Sequence, residues 1–148
     1  MVITLKGELY SKKNSKKIVK SSSKFYYETH NFISNEGLKK EINVKRPMNL
    51  ILSSNKSIKA EVDLVKQMNL LRKEWENESA GKEYPLKIEV YLFRKTDRIF
   101  DYINIVQGLF DAMTKAKWIP DDNIKYVIPV FKGWEKDSKN PRTEVKII

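Results

Sequence analysis

The chain has no cysteine and a single histidine, His30. Without thiols there are neither disulfides nor a thiolate-held metal, which fits a reducing compartment. One histidine leaves no basis for a His-built zinc site or a His-dependent triad. No apolar run approaches the length of a membrane span or of a signal-peptide core, so no membrane association and a cytoplasmic location are expected. There is also no internal repeat and no domain linker. At 148 residues with 41% hydrophobic content, residues 1–148 read as a single folded domain with enough chain for a real core.

What is abundant is positive charge, and it is unevenly spread. The formal net charge is +10. Residues 1–60 hold 13 Lys/Arg against 4 Asp/Glu, whereas the remaining 88 residues hold 16 against 15. A basic first part beside a nearly neutral second part points to a polyanion partner, with a merely solubilising lysine content as the alternative. The basic loop Ser11-Lys12-Lys13-Asn14-Ser15-Lys16-Lys17 suits phosphate contacts, which need charge and short hydroxyl donors but no fixed base geometry.

Periodicity gives the elements. Met1 to Lys6 alternates as a half-buried strand ended by Gly7. Ile18-Val19 and Phe25-Tyr26-Tyr27 read as short strands around Ser21-Ser22-Ser23. Those aromatics either stack on exposed bases or pack the sheet. Asn31 to Arg46 reads as a mobile insertion, so that residues 11–46 form a basic and partly mobile segment. Pro47 to Leu52 reads as a strand, and Ser53-Ser54-Asn55 as a turn, with Ser54 or Ser57 capping the next helix. That helix covers Ile58 to Trp75, with Ile58, Val62, Val65, Met68, Leu71 and Trp75 as its apolar stripe. Leu86 to Lys95 is a strong strand, with Ile88, Val90 and Leu92 on one face. The segments Ile124 to Phe131 and Thr143 to Ile148 read as a hairpin joined by a long polar loop, Gly133 to Pro141, that displays Trp134. The expected fold is α+β, a mixed β-sheet with two principal helices packed against it.

The most informative stretch is Asp101 to Asp122, DYINIVQGLFDAMTKAKWIPDD. At 100° per residue, Ile105, Val106, Leu109, Phe110, Met113 and Ala116 share one arc with Tyr102. Asn104, Gln107, Asp111 and Thr114 share the opposite arc with Asp101. Pro120 is expected to stop the helix and leave Asp121-Asp122 on a turn. A carboxylate at a helix start and a pair at a strand start can meet in space and hold a divalent cation. Taken singly, Asp101 reads equally well as an N-cap and Asp121-Asp122 as a simple turn.

The same residues resemble the signature of RusA-type Holliday junction resolvases of bacteriophages and prophages, a D-x-D-N start followed by D-A-L and then a D-D pair. The matching residues are Asp101-Tyr102-Ile103-Asn104, then Asp111-Ala112-Met113, then Asp121-Asp122, without a gap. Gly7, the Ser11–Ser15 loop and Ser53-Ser54 also resemble Gram-positive phage members. The resemblance is dense from Leu86 to Ile148 and thin before it. Two positions depart: the family's second acid falls on Ile103 and its lysine on Gln107, a pattern similar to a D-x-x-N branch with a following Gln. Ile103 lies at the edge of the apolar arc and is expected to pack.

The resemblance implies a Mg2+-dependent endodeoxyribonuclease (Mn2+ as a substitute) that resolves four-way junctions as a homodimer in a phage-infected or lysogenic bacterial cell. Asp101 and Asp122 are then the first candidate ligands, Asp121 the next and Asp111 the last. Asp111 lies about 15 Å of helix from Asp101, too far for one shared ion. Asn104 would orient Asp101 or contact a phosphate, and Lys12, Lys13, Ser15, Lys16, Lys17 and Gln107 would face DNA. Gln107 cannot supply the charge of the family's lysine. Two other readings follow from the departures: a protein that binds branched DNA without cutting it, or one that binds a host or mobile-element protein through Trp134.

Overall fold

Strand β4, Leu86–Arg94, is apolar on both faces at several positions, as a central strand must be. In the computed structural model of the chain it pairs on one side with β5, Val127–Lys136, in parallel, and on the other with β6, Arg142–Ile147, antiparallel. Strand β1, Ile3–Lys6, completes a four-stranded mixed sheet in the order β1–β6–β4–β5. The structure describes all residues except 12–15, 34–38 and 54, and gives the backbone alone for 16–19, 31–33, 40, 42, 50–53, 55 and 56.

The α+β class with a mixed sheet holds, with three helices among the described residues. Helix α3, Tyr102–Lys115, connects parallel neighbours β4 and β5. It buries Ile105, Val106, Leu109, Phe110, Ala112 and Met113 in one cluster with Ile88, Val90 and Leu92 of the sheet. Burial of such side chains contributes about 1.5–3 kcal/mol each. Helices α1, Asn55–Leu70, and α2, Arg72–Ser79, add Leu64, Met68 and Trp75 to that cluster. The rings of Trp75 and Trp118 stack at 4.7 Å, and their indole N–H groups donate to the carbonyls of Trp118 and Met68. Edge strand β1 is covered by a side chain: the Gln67 amide accepts from Lys6 N (2.8 Å) and donates to Lys6 O (2.9 Å), as a neighbouring strand would.

Several expectations are corrected. Ile124–Phe131 and Thr143–Ile148 do not form a hairpin, because β4 lies between β5 and β6. Strand β5 continues to Lys136, so Trp134 is on a strand and not in a loop. A bulge lets it continue: Lys132 is the extra residue, and Gly133, at φ 154, leaves the Tyr91 ring only 3.1 Å from where a Cβ would stand. The helix expected over Ile58–Trp75 is broken at Leu71. Ile58 and Val62 face outward at 48% and 47% exposure, and Leu64 takes the buried position. Ser57 lies inside α1 and is no cap, while Ser54 falls outside the described residues.

The second compact unit covers Lys16–Ser54; the first takes the rest. It is a two-stranded antiparallel ribbon, β2 (Lys16–Ile33) paired with β3 (Lys39–Ser53). The short strands and much of the insertion expected over residues 18–46 are therefore one long ladder. Among the described pairs the register shifts between Lys20 and Phe25, at the serines. Ser21 Oγ accepts there from the backbone N–H groups of Ser23 and Lys24, satisfying donors that the shifted register leaves over.

Candidate functional site

Asp101 has an extended backbone and caps α3. Its carboxylate accepts from Asn104 N at 3.3 Å and from Asn104 Nδ2 at 2.6 Å. Both acceptor bonds lie at the helix start, where backbone N–H groups have no partner within the helix. Asn104 thus holds the Asp101 side chain in place. Ile103 does not pack: it is 74% exposed, and Ile99 is fully exposed just before the helix. The apolar arc ends one residue short of it, because Tyr102 turns inward against Phe131, ring centroids 3.9 Å apart, and closes that edge of the core. Among the described residues the buried Tyr102 hydroxyl has no hydrogen-bond partner, and its pKa is raised by burial.

The other end of α3 stops earlier than Pro120 requires. Lys117 adopts the left-handed conformation, φ 58. Lys117 N donates to Thr114 O at 3.0 Å and Trp118 N to Met113 O at 2.9 Å, the paired bonds of a Schellman motif. A non-glycine residue there costs about 1–2 kcal/mol. Burial of Trp118 and Ile119 immediately afterwards offsets it. Arg72 of α2 further satisfies the helix end by donating to Ala116 O at 2.6 Å.

This reversal brings the chain back so that Asp122 meets Asp111. Burial raises the pKa of Asp122 first, followed by the charge of Asp111, a hydrogen bond with the Asp111 carboxyl, and then Asp121. Asp121 is itself engaged in the turn: it accepts from Asp122 N at 2.8 Å and Asn123 Nδ2 at 2.5 Å. The acidic neighbour the fold gives Asp122 is therefore Asp111, where the sequence pointed to Asp101. About 15 Å of helix separates Asp101 from Asp111. Among the described residues no group of three His, Asp or Glu side chains is placed to hold a metal ion. Two carboxylates in contact remain a suitable start for Mg2+, which commonly takes one or two carboxylates and completes its shell with water and phosphate.

Of the expected DNA contacts, Lys12, Lys13 and Ser15 lie outside the described residues, and Lys16 and Lys17 begin β2 with only their backbone described. Gln107 is exposed on α3. Trp134 is 40% exposed and meets Phe100 edge-on at 5.5 Å. No helix among the described residues is long and apolar enough to cross a membrane. No protein-family model and no curated protein matches this chain.

Asp111 was the residue that sequence reasoning ranked last. The useful signal was present in the Ala116-Lys117-Trp118 step. A lysine in the left-handed position hides a helix stop that a glycine would have announced.

Proposed function

We propose that the chain is a RusA-like, Mg2+-dependent endodeoxyribonuclease that acts on branched DNA, with Asp122 and Asp111 at the centre of the cation site and Asp121 beside them. The observation that carries this reading is the contact between the Asp111 and Asp122 carboxyls, where burial and then the Asp111 carboxyl raise the pKa of Asp122. Two carboxyls so placed either share a proton or share a cation, and Mg2+ or Mn2+ relieves their repulsion. When bound, the cation supplies an activated water and a counter-charge for the scissile phosphate.

The chain's own contributions are positional. The Schellman turn at Lys117 and the buried Trp118-Ile119 pair fix Asp122 against α3. Asp121 holds the turn's donors. Asp101, held by Asn104, caps the start of α3. The +10 charge supplies attraction for the phosphate backbone. A four-way junction needs two cuts, so the active form is proposed to be a homodimer.

A second reading is favoured by a separate observation. Asp101 is committed to capping α3, and Ile103 presents an exposed apolar side chain where the resemblance carries an acid. On that reading the protein binds branched DNA without cutting it. A labelled four-way junction incubated with the protein, with and without Mg2+ or Mn2+, separates the two. Metal-dependent cleavage that Asp122→Asn abolishes supports the nuclease. Salt-sensitive binding with no cleavage in either metal supports the binder. Absence of any junction preference, together with capture of a defined host or mobile-element protein, overturns both.

A further inference from the structure

The two faces of the β2–β3 ribbon differ chemically. On one, Tyr26 donates to Glu28 (2.9 Å), and Arg46, opposite Tyr26 in the ladder, donates to the same carboxylate at 3.3 Å. That face satisfies itself. On the other, Lys45 stands opposite Tyr27 in the register and holds its ammonium 4.1 Å from the Phe25 ring centre. Thr29 and Asn43 bond to each other on the same side (2.7 Å). Tyr27 is 64% exposed and Phe25 38%, and neither has another ring against it among the described residues.

We propose that the Phe25–Tyr27–Lys45 face of the ribbon is a stacking platform for unpaired nucleobases, with Lys45 serving the adjacent phosphate. This rests on the DNA-binding part of the reading above and adds the feature of the substrate that is recognised. Exposed ring faces beside a cation match a polyanion that carries π-faces of its own. In a continuous duplex those faces are covered by neighbouring base pairs; at a branch or in a single strand they are free. Charge selects nucleic acid over a second copy of the ribbon: residues 16–54 hold 8 Lys/Arg against 3 Asp/Glu, so two copies repel.

The test uses the full chain and three labelled probes: a dT20 single strand, a 20-bp duplex and a four-way junction. Tyr27→Ala is expected to weaken dT20 and junction binding at least about fivefold and to leave duplex binding unchanged. Tyr27→Trp is expected to restore it. Lys45→Gln should reduce the salt slope of dT20 binding by about 0.7, one phosphate contact on a single strand. A 5-iodouracil placed in dT20 should crosslink to the peptide carrying Tyr27. Normal dT20 binding by Tyr27→Ala, equal losses on single strand and duplex, or a crosslink elsewhere each overturn the platform while leaving the nuclease reading intact. Failure of the wild-type chain to bind any of the three probes overturns both.

Discussion

Helix α3 and the β2–β3 ribbon are held together by opposite means. The helix buries six side chains against a sheet and leaves its polar arc outside. The ribbon's described side chains are nearly all exposed, with Ser21 the buried one, and its cohesion comes from backbone pairing along the two strands. A packed helix fixes its carboxylates because any shift opens a void. A ribbon that buries little keeps its side chains available for something that arrives later. The difference suggests a division of labour: the α/β unit places the acids, and the ribbon offers cationic and aromatic surface.

The largest expected effect tests that division directly. Trp118 is 3% exposed, stacks on Trp75 and donates to Met68 O. Trp118→Ala should cost about 3–5 kcal/mol in urea unfolding. Tyr27→Ala on the ribbon should stay within about 0.5 kcal/mol of the parent. Similar losses from the two substitutions would break the comparison, since the ribbon would then be part of the cooperative core.

Next in size is Asp122→Asn. Junction cleavage should fall by about two orders of magnitude or more, with junction binding retained. The same variant has a stability signature. Burial, then Asp111, then Asp121 hold the Asp122 proton in the folded chain above its ordinary pKa of about 3.9. The folded state therefore binds that proton more tightly than the unfolded state does. Stability falls as pH rises from the unfolded value through the raised folded value, and the cost persists at higher pH. Asp122→Asn removes it, so the variant should melt above the parent at pH 7.5, with the gap closing at pH 3.5. Added Mg2+ should raise the melting temperature of the parent at pH 7.5 and leave the variant unmoved. A pH-independent difference would mean that the Asp111–Asp122 contact does not store this repulsion.

What was legible in the sequence follows from the same contrast. The buried face of α3 could be read residue by residue, from Ile105 to Ala116, because one-sided burial imposes the helical period. Strand β4 was legible from the alternation of Leu86, Ile88, Val90 and Leu92, a period of two. The ribbon was legible only in pieces, at Ile18-Val19, Phe25–Tyr27 and Pro47–Leu52: its described side chains are nearly all exposed, so no buried face marks the full length of the pairing. The apparent β5–β6 hairpin failed because nearness in sequence says nothing about β4 entering between them. At the site, the cap at Asp101 was visible, while the partner of Asp122 depended on a helix stop set by Lys117 and Trp118. Ile103 was misplaced by a single residue of arc, where Tyr102 closes the core.

A smaller effect is expected at the start of α3. Asp101→Ala removes the side-chain acceptor of Asn104 N and should cost about 1 kcal/mol. Asp101→Asn keeps a capping oxygen and should cost only a few tenths. The pair separates Asp101 as a cap from Asp101 as a ligand. If its charge serves only α3, the asparagine variant cleaves as the parent does. A loss of cleavage in Asp101→Asn without loss of stability would move the cation site toward the helix start.

The smallest structural effect belongs to Ile103→Asp. The side chain is 74% exposed and outside the core, so unfolding free energy should change by no more than about 0.5 kcal/mol. An acid at this place adds charge to the first turn of α3, where the helix dipole favours it. It also lies two residues from Asp101, at the position the resemblance assigns to an acidic ligand. If Asp101 belongs to a cation site, Ile103→Asp should tighten Mg2+ binding, measured calorimetrically, and raise cleavage at limiting metal. If the site is centred on Asp111 and Asp122, neither should change, because about 15 Å of helix lies between the two ends. An exposed residue that contributes almost nothing to stability thus decides which end of α3 holds the chemistry.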